Sequence, residues 1–458
     1  MVYRKSFIFI FIAMTLLFSS ACSLKTEASL ENQIPTFEEV KEITPEVKLK
    51  VPVSLSLRKF PHPFESILAV ANDIDGTAYQ DFIEIHRFLN TTQHTTMGYG
   101  LGLDISDSFW MYNVNNKKGY IDANNTLSWQ EQISYFKGGD WNTPYFSKEI
   151  KHFINAGWID SIHSFGDFSR NNYKDIQFKR EHAVKAVEEL EKEDIKIKVW
   201  INHGNAANVQ NFGGRYKSTE YQQGDVPNTA GYHTDLTIPY GIEFLWDSKG
   251  DNKIGHNSMI FPVTLKDGQK IWGFKRYTHK IKDDKYLWQW DIYNLHNQLS
   301  KEHLDKIVDQ NWYSIIANHM GNSIDDRTLP YSAIEAFTRL KKYQDEGKIL
   351  VARTSRLLEY NRCHQFIEYE AFQADTDIDI YIKGINDPQR GFFVPIIDQI
   401  RGITFYTGTA DNVKIYINTT EIPQEEIQIN YKDGVPISAG ITWHKPDSTD
   451  YSQNIFSE

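Results

Sequence analysis

Along this chain, helix-patterned segments run into short apolar stretches, and several of those stretches stop at a residue that can bind a ligand. "SKEIKHFINAGWIDSIHS" reads as a helix and then a strand ending at His163. "KREHAVKAVEELEKEDIKIKVWINHG" repeats the arrangement and ends beside His203, and "SKEHLDKIVDQNWYSIIANHMGN" repeats it again at His319. "YSAIEAFTRLKKYQDEGKILVART" is one more helix and strand, and "SILAVAND", apolar throughout, precedes the helix pattern "YQDFIEIHRFLN". "MGYGLGLDISDSFWMYN" supplies one or two further strands. Continuously apolar strands are buried on both faces, and helices alternating with them build a mainly parallel sheet or barrel. The fold class is α/β.

Two regions break this rhythm. Residues 212–290 are rich in Gly, Tyr and Trp with little helical period, which predicts a β- or loop-rich insertion near the functional end of the sheet. After about residue 370 the period falls to two, as in "DTDIDIYIKG" and "DNVKIYINTTEIP", so residues 366–458 are expected to form a small all-β domain. The barrel-like domain then spans 61–365. At the other end, Arg4 and Lys5 precede the apolar run "FIFIFIAMTLLF" and the small residues "SSACS". That pattern reads as a lipoprotein-type signal over residues 1–22, with Cys22 as the lipidated residue and polar residues 23–60 as a tether. The expected location is a bacterial cell envelope, anchored to a membrane by lipid and facing away from the cytoplasm. Cys363 is the single other cysteine, so two ordinary cysteines are not left to form an internal disulfide.

The net charge of -11, with no long basic block after the first residues, argues against a nucleic-acid surface. Aromatic residues make up 14% of the chain, which suits stacking on sugar rings as well as it suits a large core.

Ligand-capable residues at several strand ends are expected to share one edge, where α/β sheets and barrels assemble their sites. His163 and Asp167 are spaced i, i+4, which on a helical turn puts both on one face. With Asp75 they make three protein ligands for Zn²⁺ or a similar divalent ion, leaving a position open for water. Such an ion lowers the pKa of water and polarises a carbonyl. Asp73 is then a candidate general base and His319 a candidate acid for the leaving group. His203 and, more weakly, Asn205 are candidate substrate contacts. Asp73 and Asp75, two apart on an extended strand, point to the same side.

These motifs resemble the polysaccharide deacetylase family over roughly residues 65–360. "NDID" resembles its first motif, an Asp pair of one base and one metal ligand. "HSFGD" resembles its second, a His-Ser/Thr followed by another metal-binding His, and "IIANHMG" the late strand ending in the acid His. The resemblance implies a distorted (β/α) barrel and a metal-dependent hydrolase removing acetyl groups from a polysaccharide or cell-envelope glycan. The chain departs from the pattern at three places. Ile74 separates the Asp pair, Asp167 stands where a second His is expected, and "WINHGNAANVQN" replaces an Arg-Pro-Pro motif. Two other readings stay open. "DIDGT" also matches the first motif of haloacid-dehalogenase-type phosphatases, with Asp73 as nucleophile, Asp75 as acid/base and Mg²⁺, for which "IKDDKYLW" offers Asp283 and Asp284. A catalytically inactive glycan-binding lipoprotein is the third.

Overall fold

The computed structural model describes residues 49–114, 132–168, 177–204, 206–282, 285–288, 290–321, 328–431 and 437–453. Cys22, Asn205, Asp283 and Asp284 lie outside them, as does the expected signal segment.

The central element is an eleven-stranded sheet. Strand Ser66–Asn72 lies inside it, bonded in parallel to Tyr313–Asn318 on one side and to Ser106–Phe109 and Ile349–Val351 on the other. Beyond Ser106–Phe109 come Ile159–His163, Val199–Ile201, Phe244–Trp246 and Lys270–Phe274, all parallel. Ile260–Thr264 adds an antiparallel edge against Lys270–Phe274. Arg276–Tyr277 follows Lys270–Phe274 almost directly in sequence, yet pairs with Tyr313–Asn318 instead.

The expected (β/α) barrel is corrected here. The parallel strands curl into a half-barrel, and strand (32%) exceeds helix (27%), so the architecture is mixed α/β rather than a helix-rich barrel. Helices Tyr79–Asn90, Ser147–Ala156, Arg180–Lys192, Lys301–Asp309 and Tyr331–Asp345 do alternate with strands. The alternation fails between Val199–Ile201 and Tyr313–Asn318. There the seven-residue helix Thr234–Tyr240 is the one α-helix before residue 290 among the described residues. The physical reason is the composition of this stretch, which has no apolar stripe at helical spacing to cover a strand. Residues 212–290 are therefore more than an insertion, since Phe244–Trp246, Lys270–Phe274 and Arg276–Tyr277 are strands of the central sheet.

Parity divides each strand between two cores. Ile67, Ala69 and Ala71 face the concave side, with Val199, Ile201, Phe244, Trp272, Phe274, Tyr313 and Ile315. Leu68, Val70 and Ile316 pack under the outer helices, against Phe88, Phe337 and Leu340. The concave core is filled by Leu357, Leu358 and Cys363 of helix Thr354–Phe366. It continues without a break into the C-terminal region through Ile378, Ile380, Ile382, Phe405 and Ile415.

That region holds a six-stranded sheet built on Ile367–Ala374 and Asp377–Asp387 and a four-stranded sheet built on Thr404–Gly408 and Ile437–Ile441. Residues 51–58, read in sequence as part of the tether, supply a strand to each. Val51–Val53 pairs with Ile367–Ala374 and Ser56–Arg58 with Thr404–Gly408. Val53, Leu55 and Leu57 alternate onto the shared core, a pattern too short to separate from a linker by period.

Helix Thr354–Phe366 is held by charge as well as by packing. Arg362, 2% exposed, reaches Glu359 and Glu243 at 2.7 Å and Asp387 at 3.6 Å. Asp387 also accepts from the Trp272 indole N–H. Removing one partner of a buried network leaves uncompensated charge and costs about 3–5 kcal/mol. Arg362→Met should therefore lower the unfolding free energy by that order, read from the urea midpoint at unchanged slope. A shift under about 1 kcal/mol would mean that packing alone joins the C-terminal sheets to the half-barrel.

Candidate metal centre

The carboxyl edge of the curled sheet collects the polar residues. Asp73 and Asp75 follow Ser66–Asn72, His163 ends Ile159–His163, His203 lies two residues past Val199–Ile201, and His319 follows Tyr313–Asn318. Each of 73, 75, 203 and 319 continues the parity of concave-core residues on its own strand, so all four side chains are delivered to one side.

Three of these groups converge. His163 Nε2 lies 3.0 Å from Asp75 Oδ2, and His203 Nδ1 lies 3.0 Å from His163 Nε2 and 3.3 Å from Asp75 Oδ1. The far nitrogens are engaged elsewhere. His163 Nδ1–H donates to the Ile201 carbonyl at 3.2 Å, and His203 Nε2 faces Asp167 Oδ1 at 3.3 Å. This is how metal-binding imidazoles are oriented, with one nitrogen on a carbonyl or carboxylate and the other turned inward. Two inward nitrogens and a carboxylate this close need a proton or a metal ion between them. Asp75 Oδ2 is a buried oxygen without a hydrogen-bond partner, as a ligand atom would be. The Asp and His side chains are thus positioned to hold a metal ion.

Asp73, Asp75 and His319 form a second close group of ligand-type atoms. Asp73, however, is occupied. Arg276 donates to both of its oxygens, at 2.8 and 2.6 Å, and its guanidinium lies 4.2 Å from the centre of the Trp246 ring. A bidentate pair at 2% and 3% exposure fixes the carboxylate's orientation and leaves it a poor ligand. His319 Nε2 stands between the two aspartates, 3.5 Å from Asp73 and 4.0 Å from Asp75, and its backbone N–H donates to the Trp290 carbonyl at 2.7 Å.

The charges set the proton affinities. Burial alone would raise Asp73, but the Arg276 guanidinium, with help from His163, holds it well below the usual carboxylate range. Burial would likewise raise Asp75, and the surrounding His203, His319 and His163 bring it down. For His203 the balance runs the other way. Burial would lower it, yet Asp75 and Asp167 push it up to about 9. The carboxylates therefore call for positive charge here, which a proton or a metal ion can supply.

Asp167 is not on a helical turn with His163, as the i, i+4 spacing suggests. Ser164 adopts φ 50° just after the strand, and Gly166–Asp167 pairs with Tyr112–Asn113 as a short parallel bridge. Gly166 is required there, because a Cβ would lie 1.9 Å from the Tyr112 carbonyl oxygen. Asp167 consequently meets the outer nitrogen of His203 instead of joining Asp75 and His163, and His203 takes the inner place. The positive φ turns Ser164 Oγ toward Asn211, to which it donates at 2.5 Å. Asn211 grips the His203 backbone from both sides. Its Oδ1 accepts from His203 N at 3.2 Å and its Nδ2 donates to the His203 carbonyl. Trp110, fully buried, stacks along His163 at 5.9 Å and meets His203 edge-on at 5.5 Å.

Arg276, Trp246, Trp110 and Asn211 are not singled out by the sequence reading. Arg276 carries the one usable signal, since it continues the parity of Trp272 and Phe274, but that requires knowing that 270–277 is a strand. No protein-family model matches this chain, and no curated protein matches it in sequence.

His203 sits in a loop, so its usefulness as a ligand depends on the groups that hold it. Asp167→Asn and Asn211→Ala should each weaken divalent-metal binding roughly 10–100-fold, the usual cost of losing an outer partner of a ligand. Chelator competition measures this, and Co²⁺ spectra should show altered coordination with the fold intact. Unchanged affinity in both variants would place His203 outside the coordination sphere.

Proposed function

We propose that this protein is a zinc-dependent deacetylase-like hydrolase acting on an acetylated glycan. The observation that carries the reading is the convergence of His163 Nε2, His203 Nδ1 and the Asp75 carboxylate beside an Arg-clamped Asp73 and His319. The resemblance asks for an Asp and two histidines on the metal. Asp75 and His163 meet it directly, and His203, from the next strand, supports it in the place where Asp167 stands in the linear motif. Two imidazoles and a carboxylate make a set suited to Zn²⁺ with an open position. A divalent ion held there supplies Lewis acidity, acidifying water and polarising an acyl oxygen.

The chain's own residues divide the remaining work. Asp73, kept ionised and aimed by Arg276, takes the proton of water attacking an acetyl carbonyl. His319, whose Nε2 lies 3.5 Å from Asp73 and 4.0 Å from Asp75, gives a proton to the departing amine or hydroxyl. The sequence pattern around Cys22 supports placing this activity on the outer side of an envelope membrane, tethered by lipid and close to envelope glycans. No helix among the described residues is long and apolar enough to cross a membrane.

The zinc-loaded protein should release acetate from N- or O-acetylated oligosaccharides. Asp73→Asn and His319→Ala should each lower kcat by about 10²–10⁴ while zinc stoichiometry, measured by metal analysis, stays at the wild-type value. Absence of acetate from a panel covering both bond types, or full activity in Asp73→Asn, would refute the assignment.

A further inference from the structure

One residue below the metal centre, the sheet carries a second polar layer. Asp107, Asn72 and Asn318 stand opposite one another on the adjacent strands Ser106–Phe109, Ser66–Asn72 and Tyr313–Asn318. All three are buried. Asn72 shares the parity of Leu68 and Val70, so an apolar side chain would continue the pattern under the outer helices. A buried amide is tolerated there only if both of its ends find partners.

The Asn72 amide does find them. Its Oδ1 accepts from the Met320 backbone N–H at 2.7 Å, and its Nδ2 donates to Asp107 Oδ2 at 2.7 Å. A backbone N–H can only donate, so the amide oxygen must face Met320 and the NH₂ is left to Asp107. Asp107 is held in turn by the helix Tyr79–Asn90. Its Oδ1 lies 3.3 Å from His86 Nε2, while His86 Nδ1 pairs with Asn90 Oδ1 at 3.0 Å and the His86 ring stacks on Trp158 at 5.2 Å.

Asn318 acts on the other flank. Its Nδ2 donates to the Asp291 carbonyl at 3.2 Å and to Gln298 Oε1 at 3.0 Å. Asp291 adjoins Trp290, whose carbonyl accepts the His319 N–H. Gly321 completes the arrangement. A Cβ there would lie 2.1 Å from Thr77 Oγ1, so the turn after His319 rests directly on the turn after Asp75. The bonds of the polar layer thus run to residues 320 and 291, the two segments that hold the His319 backbone.

We propose that Asn72, fixed by Asp107, is a positioning residue that sets the His319 imidazole against the Asp73 and Asp75 carboxylates. The inference rests on the hydrolase reading for its kinetic readout alone. The test uses the zinc-loaded full chain, with acetate release as one readout and hydrogen exchange at the His319–Gly321 amides, which needs no substrate, as the other. Asn72→Leu keeps the volume and removes both bonds. It should lower kcat by about 10²-fold, the cost of a misplacement near 1 Å, with KM and zinc affinity within about twofold of wild type. Exchange should rise at His319–Gly321 and stay at the wild-type rate over Tyr313–Ala317. Asn72→Asp alone puts two carboxylates in contact and should be impaired at least as much. The pair Asn72→Asp/Asp107→Asn exchanges amide and carboxylate, restores both hydrogen bonds, and should recover kcat and local protection. Wild-type kcat and protection in Asn72→Leu, or no recovery in the exchanged pair, overturns the proposal. A loss that spreads to zinc affinity and to Tyr313–Ala317 also overturns it, in favour of a general role in stability. An inactive wild-type protein refutes the hydrolase reading instead, and the exchange data then decide the positioning claim by themselves.

Discussion

The site exists because strand parity and strand direction act together. In a parallel sheet every carboxyl end lies on one edge, and every second residue faces one side. Ile67, Ala69 and Ala71 fill the concave core, so the next two residues of that parity, Asp73 and Asp75, emerge above it. The same count carries Val199 and Ile201 to His203, Tyr313 and Ile315 to His319, and Trp272 and Phe274 to Arg276. Burial of the apolar members fixes the register, because a slip of one residue would send carboxylates and imidazoles under the outer helices. The polar cluster thus inherits its precision from packing several residues below it.

Within that frame, the Arg276 clamp separates the roles of two chemically identical side chains. Asp73 and Asp75 differ little in sequence context, and either could face a metal. Arg276 engages both oxygens of Asp73 and leaves Asp75 toward the imidazoles. A guanidinium at 2% exposure is tolerated because it has the Trp246 ring on its face and the carboxylate on its edge. The pair is buried, so losing either member would leave an unpaired charge, a cost of about 3–5 kcal/mol that ties the two strands' positions to one another.

The parts of this arrangement that sequence revealed are those carried by a local period. Strand Ser66–Asn72 and the helix–strand pairs ending at His163, His203 and His319 are continuous apolar or amphipathic runs, and their end residues follow from them. Arg276 was hidden because Lys270–Phe274 and Arg276–Tyr277 share one short stretch but bond to different neighbours, a long-range choice with no local mark. The i, i+4 spacing of His163 and Asp167 implies a helical turn, whereas the left-handed Ser164 redirects the chain into a short strand. The helix-rich barrel was an over-extension of the rhythm seen on either side of residues 202–290. The strands at 51–58 were missed because three-residue strands show no period until a partner supplies it.

Charge balance links the electrostatics of the site to the ion it suits. Asp73, Asp75 and Asp167 bring three carboxylates to the cluster and Arg276 one guanidinium. The remaining two negative charges match the charge of a divalent ion. Neutral imidazoles are the state that metal coordination requires. With a proton in place of the ion, the same imbalance appears as the rise of His203 to about 9. A monovalent ion would leave one charge uncompensated in a site where Asp73 is 3% exposed, and uncompensated charge at that burial is expensive. The electrostatics of the edge therefore favour a bound cation beside Asp75, His163 and His203.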